Sequence, residues 1–379
     1  MSVLSTNHAR QRRSRFGRLG AAVTSIALVF GACSTQAAGT VSPSSPTSTT
    51  SAGSVASVVP AAAAPQGTLK LGYFPNITHA TAIVGVEGEI FAKNLGPGVT
   101  LEVSSFNAGP AASEALLSGA IDATFIGPNP AINAFAKSNG AAIRIIAGAT
   151  SGGAYLVVKP EITNAAGLKG KKLASPQLGN TQDVALRTWL ADNGLVTDPQ
   201  GGGDVSILPQ DNAQTLETFT SGQIDGAWVP EPWATRLVQD GGGEVLVDEK
   251  TLWPEGSYVT THLIVRTDYL EAHPDIVKAL LAGLLEANDL VNSDSAKAQE
   301  LTNQGIKKIT GKTLADKVIT AAWQNLTFTV DPIASSLKGS ADHATKLGLL
   351  DAVDLTGIYD LDPLNELLQL AGKAPVSGL

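Results

Sequence analysis

From Thr68 onward the chain alternates short apolar runs with longer stretches in which apolar residues return every three or four positions. Short runs bounded by turn residues predict strands, and the longer period predicts helices. Thr68 to Tyr73 is the first strand and Phe74-Pro75-Asn76-Ile77-Thr78-His79 the loop after it. Ala82, Ile83, Val86 and Ile90 mark one face of a helix that Thr78 can cap. Val99 to Phe106 is the next strand, with Asn107 placed to cap a helix through Ala115. Further strands are expected at Ile143 to Ala147 and Ala154 to Val158, separated by Ser151-Gly152-Gly153. Leu168 to Ala174 makes a turn and strand, Asn180-Thr181-Gln182-Asp183 enters a helix carrying Val184, Leu186, Trp189 and Leu190, and Val205 to Leu208 is again a strand. After a strand at Tyr258 to Val265 the pattern is largely helical, including Ile276 to Val291, Leu314 to Leu326 and Ile333 to Leu347.

One unit of this pattern occurs twice. Glu114, Gly119, Ile121, Asp122, Phe125, Pro128, Asn129 and Pro130 return about 103 positions later as Glu217, Gly222, Ile224, Asp225, Trp228, Pro230, Glu231 and Pro232, with one residue dropped before the first proline. In each copy a helix ends at a glycine able to take the left-handed conformation, a short apolar strand follows, and prolines open the next helix. The strands, Ala123 to Ile126 and Gly226 to Val229, read as buried on both faces of a mainly parallel sheet. Ligands of such α/β sheets bind beyond the carboxyl ends of the strands, where helix N-termini present free N–H groups. Two copies predict two lobes: residues 67–159 with 258–379 as a discontinuous first lobe, and 160–257 inserted as the second. Two connections favour hinge closure.

A length of 379 residues is ample for two lobes. The net charge of −8 argues against nucleic acid, the more so because Arg10, Arg12, Arg13, Arg15 and Arg18 all lie in an acid-free first segment. Those arginines followed by apolar Leu19 to Phe30 predict a signal peptide over residues 1–32. Gly31-Ala32 before the single cysteine resembles a bacterial lipobox, which makes Cys33 the expected lipidation site, although Phe30 departs from the usual aliphatic residue. Residues 33–66, rich in Ser, Thr, Ala and Pro, read as a flexible linker. The expected location is the outer face of the cytoplasmic membrane of a bacterium. One cysteine excludes an internal disulfide and a Cys-based zinc site.

The segments Gly72-Tyr73-Phe74, Asn107-Ala108-Gly109-Pro110, Gly119 to Pro130, Leu168-Lys169-Gly170-Lys171-Lys172 and Trp228-Val229-Pro230-Glu231-Pro232 resemble, in order and spacing, the substrate-binding proteins of ABC importers for nitrate, sulfonate and taurine. The resemblance covers nearly all of residues 67–350. It implies a type II periplasmic-binding-protein fold of the α/β class, ligand capture between the lobes, and delivery to a membrane permease driven by a separate ATPase. It also implies a monomer that needs no cofactor. Gly72 to His79, Gly127-Pro128-Asn129-Pro130 and Asn180 to Asp183 are most similar to aliphatic-sulfonate binders, with a departure around Asn129. Taurine, nitrate or another small nutrient remain open as ligands.

Such an anion can be held by neutral donors and helix N-termini. The loops assigned to the cleft hold Asn76, Thr78, His79, Asn107, Gly127, Asn129, Ser151, Gly152, Asn180, Thr181 and Gln182, with no Lys or Arg among them. Tyr73, Phe74, Trp228 and Trp233 are expected either to wall an alkyl tail or to be core aromatics. His79 is the titratable donor, either protonated toward the anion or neutral and packed. Glu231 suits an anion site only if it points away or meets an amino group, as in taurine. No Gly-x-Ser-x-Gly is present, and Gly305 to Thr313 misses the P-loop spacing by one residue. The dispersed histidines have no metal-ligand spacing. An enzyme on the same fold is the alternative of another class, and no catalytic residue is assigned for it.

Overall fold

The computed structural model describes residues 65–379. The expected signal peptide, Cys33 and most of the linker lie outside the described residues. Eleven strands follow in chain order: β1 (Gly67–Tyr73), β2 (Val99–Ser105), β3 (Ala123–Ile126), β4 (Ile143–Gly152), β5 (Ala154–Val158), β6 (Lys172–Ser175), β7 (Ser206–Pro209), β8 (Gly226–Pro230), β9 (Glu244–Asp248), β10 (Val259–Arg266) and β11 (Leu326–Phe328). They form two sheets, β11-β4-β10-β3-β1-β2 and β7-β6-β8-β5-β9.

The internal repeat extends beyond the segment legible in the sequence. Read from one edge, β2-β1-β3-β10-β4 and β7-β6-β8-β5-β9 have the same arrangement. In each, four strands run in one direction and a fifth from elsewhere in the chain is inserted antiparallel, β10 between β3 and β4, β5 between β8 and β9. The two inserted strands are the exchange between the halves. Each of these five-strand arrangements is therefore mainly parallel in strand direction, with one antiparallel insertion. The chain leaves the first sheet at Gly152-Gly153, ahead of the expected start of the second lobe at residue 160. Both glycines have positive φ, and a Cβ on Gly153 would lie 2.1 Å from Leu326 Cδ2, so the reversal requires glycine there.

Alternation places successive residues on opposite faces of each sheet, and both faces are covered. Leu263 and Val265 of β10 pack with Leu69, Leu71, Phe125 and the Pro274–Ser293 helix, while Ile264 faces Ile126, Ile143 and Ile145 on the other side. In the second half Leu156 and Val158 join Trp228, whereas Tyr155 and Val157 join Ala227, Val229 and Phe219. The helix expected at Leu314 to Leu326 is shorter, Asp316–Trp323, because the residues after it turn back to pair with β4 as β11. Among the described residues no helix is long and apolar enough to cross a membrane.

Candidate functional site

Four helices begin around one point between the two sheets. Gly109–Leu117 and Pro128–Lys137 come from the first half; Thr181–Asp192 and Asn212–Thr220 come from the second. None is capped by the side chain of its own N-cap residue, Ala108, Gly127, Asn180 or Asp211. The first-turn N–H groups of Gly109, Asn129, Thr181 and Asn212 therefore have no side-chain cap, whereas Pro110, Pro128 and Pro130 have no N–H to offer, and each helix end carries about half a positive charge. The ends surround a cavity of about 20 Å³. Its lining contains no Lys, Arg, Asp or Glu.

Of the residues expected at the ligand, Phe74, Asn76, Thr78, His79, Asn107, Gly127, Asn180, Thr181 and Gln182 line this cavity. Thr181 Oγ1 is buried and has no hydrogen-bond partner, which leaves it free for a ligand. It also lies 2.4 Å from where a Cβ on Gly127 would be, so only glycine lets these two helix ends meet.

The other expected residues are placed elsewhere by packing. Tyr73 is in the first-half core. Asn129 donates to Ser340 O at 2.9 Å, tying its helix to Ala334–Lys346. Ser151 pairs within the first sheet, and Gly152 O accepts from Thr260 Oγ1 at 2.6 Å. Trp228 is fully buried and donates to Glu249 Oε2 at 2.7 Å. Glu231 accepts from Thr235 N, Thr235 Oγ1 and Asn325 Nδ2, so it anchors the Trp233–Gln239 helix and joins it to the β11 turn. Burial pushes its carboxyl up, against the lowering effect of those hydrogen bonds.

Five lining residues were not among those expected at the ligand: Ala108, Asn212, Pro230, Thr260 and Thr261. The repeat held the signal for Asn212, which opens its helix at the position equivalent to Gly109. Its Oδ1 is buried without a partner. Thr260 and Thr261 arrive on the exchanged strand β10, and nothing local marks them.

His79 is buried and packs on Phe74 with ring centroids 4.3 Å apart and the rings tilted by 33°. The Phe74 N–H donates to Nδ1 at 3.4 Å, so the ring proton belongs on Nε2. Burial lowers its pKa to about 3, which favours the neutral, packed alternative over the protonated one. The sign follows from the depressed value. The folded ring stays neutral while the unfolded chain takes up a proton below about pH 6.5, so this group costs stability as pH falls from there toward 3. Affinity for a permanent anion should accordingly be flat between about pH 5 and pH 8. Calorimetry at both ends checks this, and affinity that rises tenfold toward the acid end would show His79 charging on the ligand.

Outside the cavity lies a groove of about 540 Å³ that shares Asn76, Asn107 and Asn212 with it. Leu216, Pro232, Trp233, Ile306, Leu314 and Val318 supply apolar surface, and Asp211, Glu217, Asp240, Arg236 and Lys312 supply charge. Gly311-Lys312-Thr313 forms part of this rim. It follows the C-terminus of the Ser295–Thr310 helix, with Gly311 at φ 77°, the opposite polarity from a phosphate-binding loop. Two hydrogen bonds cross between the halves at the mouth, Trp233 Nε1 to Asn76 Oδ1 at 2.8 Å and Asn107 Nδ2 to Asp211 Oδ2 at 3.1 Å.

A family model described as the NMT1-like family matches residues 62–304. The chain is 29% identical over 258 residues to the bicarbonate-binding protein CmpA of a Synechococcus species, covering 61% of this chain and 55% of that protein. It is 28% identical over 200 residues to the taurine-binding periplasmic protein of Escherichia coli, covering 52% and 58%. The chain thus spans little more than half the length of these curated relatives. Among solved structures it resembles the alkanesulfonate-binding protein SsuA from Xanthomonas axonopodis pv. citri bound to MOPS, with a TM-score of 0.64, 22% identity and coverage of 76% and 96%. The periplasmic nitrate-binding protein NrtA from Synechocystis PCC 6803 gives a TM-score of 0.66, 20% identity and coverage of 81% and 90%. The architecture is the type II periplasmic-binding-protein fold.

Proposed function

From a chain that belongs to the NMT1-like family, we propose the extracytoplasmic solute-binding component of an ABC importer, taking a small organosulfonate anion. The observation that carries this reading is the meeting of four uncapped helix N-termini on a cavity lined by neutral donors. A sulfonate is ionised at every physiological pH, and such a site holds it without burying a counter-charge. The oxyanion head occupies the inner cavity, and the organic remainder leaves past Asn76 and Asn107 along the apolar side of the groove. The lobes built on the two sheets close on it about the two connections at 152–154 and 248–259. Lipid attached at Cys33 holds the monomer at the outer face of the cytoplasmic membrane, where it hands the ligand to a permease and its ATPase. Binding without turnover is the activity.

Taurine is the second reading, and Asp211 is the observation that favours it. Its carboxylate sits at the cavity mouth, where an ammonium two carbons from the sulfonate would emerge. Asp211 takes the part that the sequence suggested for Glu231.

Calorimetry with methanesulfonate through octanesulfonate, taurine, nitrate and bicarbonate tests both. One-to-one binding that tightens by up to ~0.8 kcal/mol per methylene is expected for the alkyl series. Selective binding of taurine would move the assignment to the zwitterion, and a folded protein silent across the panel would sink both.

A further inference from the structure

We infer that Trp233 is a positioning residue for the anion, acting through Asn76 across the two lobes, so that the cavity acquires one of its donors only when the lobes meet. The inference rests on the anion site proposed above.

Asn76 follows β1 in the first half, lines the inner cavity, and is 5% exposed. Its amide has one accepting and one donating end of nearly the same shape, so packing alone does not choose which faces the ligand. Trp233, in the Trp233–Gln239 helix of the second half, makes the choice. An indole N–H can only donate, so the atom it meets at 2.8 Å must be Oδ1. Asn76 Nδ2 is then left without a partner among the described residues, on a side chain that lines the cavity. Without the indole, the amide is free to turn Oδ1 toward the ligand, which repels an anion. The ring itself stays on the groove side, where the Arg236 guanidinium lies over it at 4.9 Å. A tail-walling role would therefore be separable from the amide's orientation.

A double-mutant cycle separates them. Propanesulfonate and nitrate are titrated into the unmodified protein, Trp233→Phe, Asn76→Ala and the double variant. Phenylalanine keeps an aromatic surface and removes the N–H. Trp233→Phe should weaken both anions about tenfold, the worth of one hydrogen bond to a charged group. In the Asn76→Ala background the same change should alter affinity by less than about twofold. In isotope-labelled protein the Asn76 side-chain amide protons should shift on adding nitrate, and that shift should be lost in Trp233→Phe while the rest of the spectrum is kept. Equal losses with and without Asn76 would make Trp233 a wall and overturn the inference, as would unchanged affinity in Trp233→Phe. If the unmodified protein binds neither probe, the anion site itself falls and takes this inference with it.

Discussion

Thr181→Asp is expected to abolish anion binding while leaving the protein as stable as before, or more so. Thr181 is the first residue of its helix, its hydroxyl is buried without a partner, and it lines the inner cavity. A carboxylate in a helix's first turn is favourable for the helix, by about 0.3 to 1 kcal/mol. The same charge about 4 Å from a bound sulfonate costs about 4 kcal/mol at an effective dielectric constant of 20, which is roughly a thousandfold in affinity. The substitution also supplies the helix ends with a permanent anion of their own. Calorimetry with propanesulfonate and a thermal melt read the two effects independently. Affinity retained to within tenfold would remove this helix end from the site, and a melting temperature lowered by many degrees would mean that the cavity wall had been misread.

Asp183→Ala carries the largest expected loss of stability, about 3 to 5 kcal/mol. Asp183 Oδ1 accepts from Ser175 Oγ at 2.7 Å, and Oδ2 accepts from Gly179 N at 2.9 Å and from Arg187 Nε at 3.0 Å. The two charged side chains are 0% and 2% exposed. Arg187 Nη1 donates to Asp198 O at 2.6 Å, while Nη2 is already without a partner. Removing the carboxylate leaves a buried guanidinium with one hydrogen bond, and that uncompensated charge dominates the cost. Asp183→Ala with Arg187→Met should therefore be less destabilised than Asp183→Ala alone. Urea unfolding measures both, and a loss under about 1 kcal/mol would show that water reaches the pair. Binding should weaken as well, because the lost bonds hold Ser175 and Gly179 next to Asn180, and with them the start of the helix that ends at the cavity.

Legibility in the sequence follows the range of the forces involved. Apolar period, turn glycines and the prolines opening helices are set by neighbours within a few residues. The two copies of the repeat, most strands and the helix starts at Gly127 and Asn180 are therefore written in the local sequence, whereas the expected caps Asn107 and Thr78 give way to Ala108 and His79 at the N-cap positions. Because Thr181 and Gln182 belong to those starts, a cavity lined by neutral side chains at helix N-termini is legible there too. The partners of a strand are a different matter. Nothing in Tyr258 to Val265 says that it inserts antiparallel between β3 and β4, or that Ala154–Val158 does the same between β8 and β9. Those two insertions carry Thr260 and Thr261 into the site and move the passage between the sheets to Gly152-Gly153.

Tertiary packing likewise decided the fate of polar residues near the helix starts. Asn129 and Glu231 sit at equivalent places in the repeat and, by sequence, are as available as Asn107. Each instead satisfies a distant segment, Ser340 in one case and Asn325 in the other, because a buried amide or carboxylate must find partners wherever the chain brings them. Trp228 turned into the core toward Glu249, while Trp233 stayed at the mouth and met Asn76 from the other half. Local sequence determined that this chain builds two similar α/β halves with free helix ends. Which side chains meet at those ends was decided by contacts between residues far apart in the chain, 157 positions for Asn76 and Trp233 and 94 for Glu231 and Asn325, whose pairing no local pattern encodes.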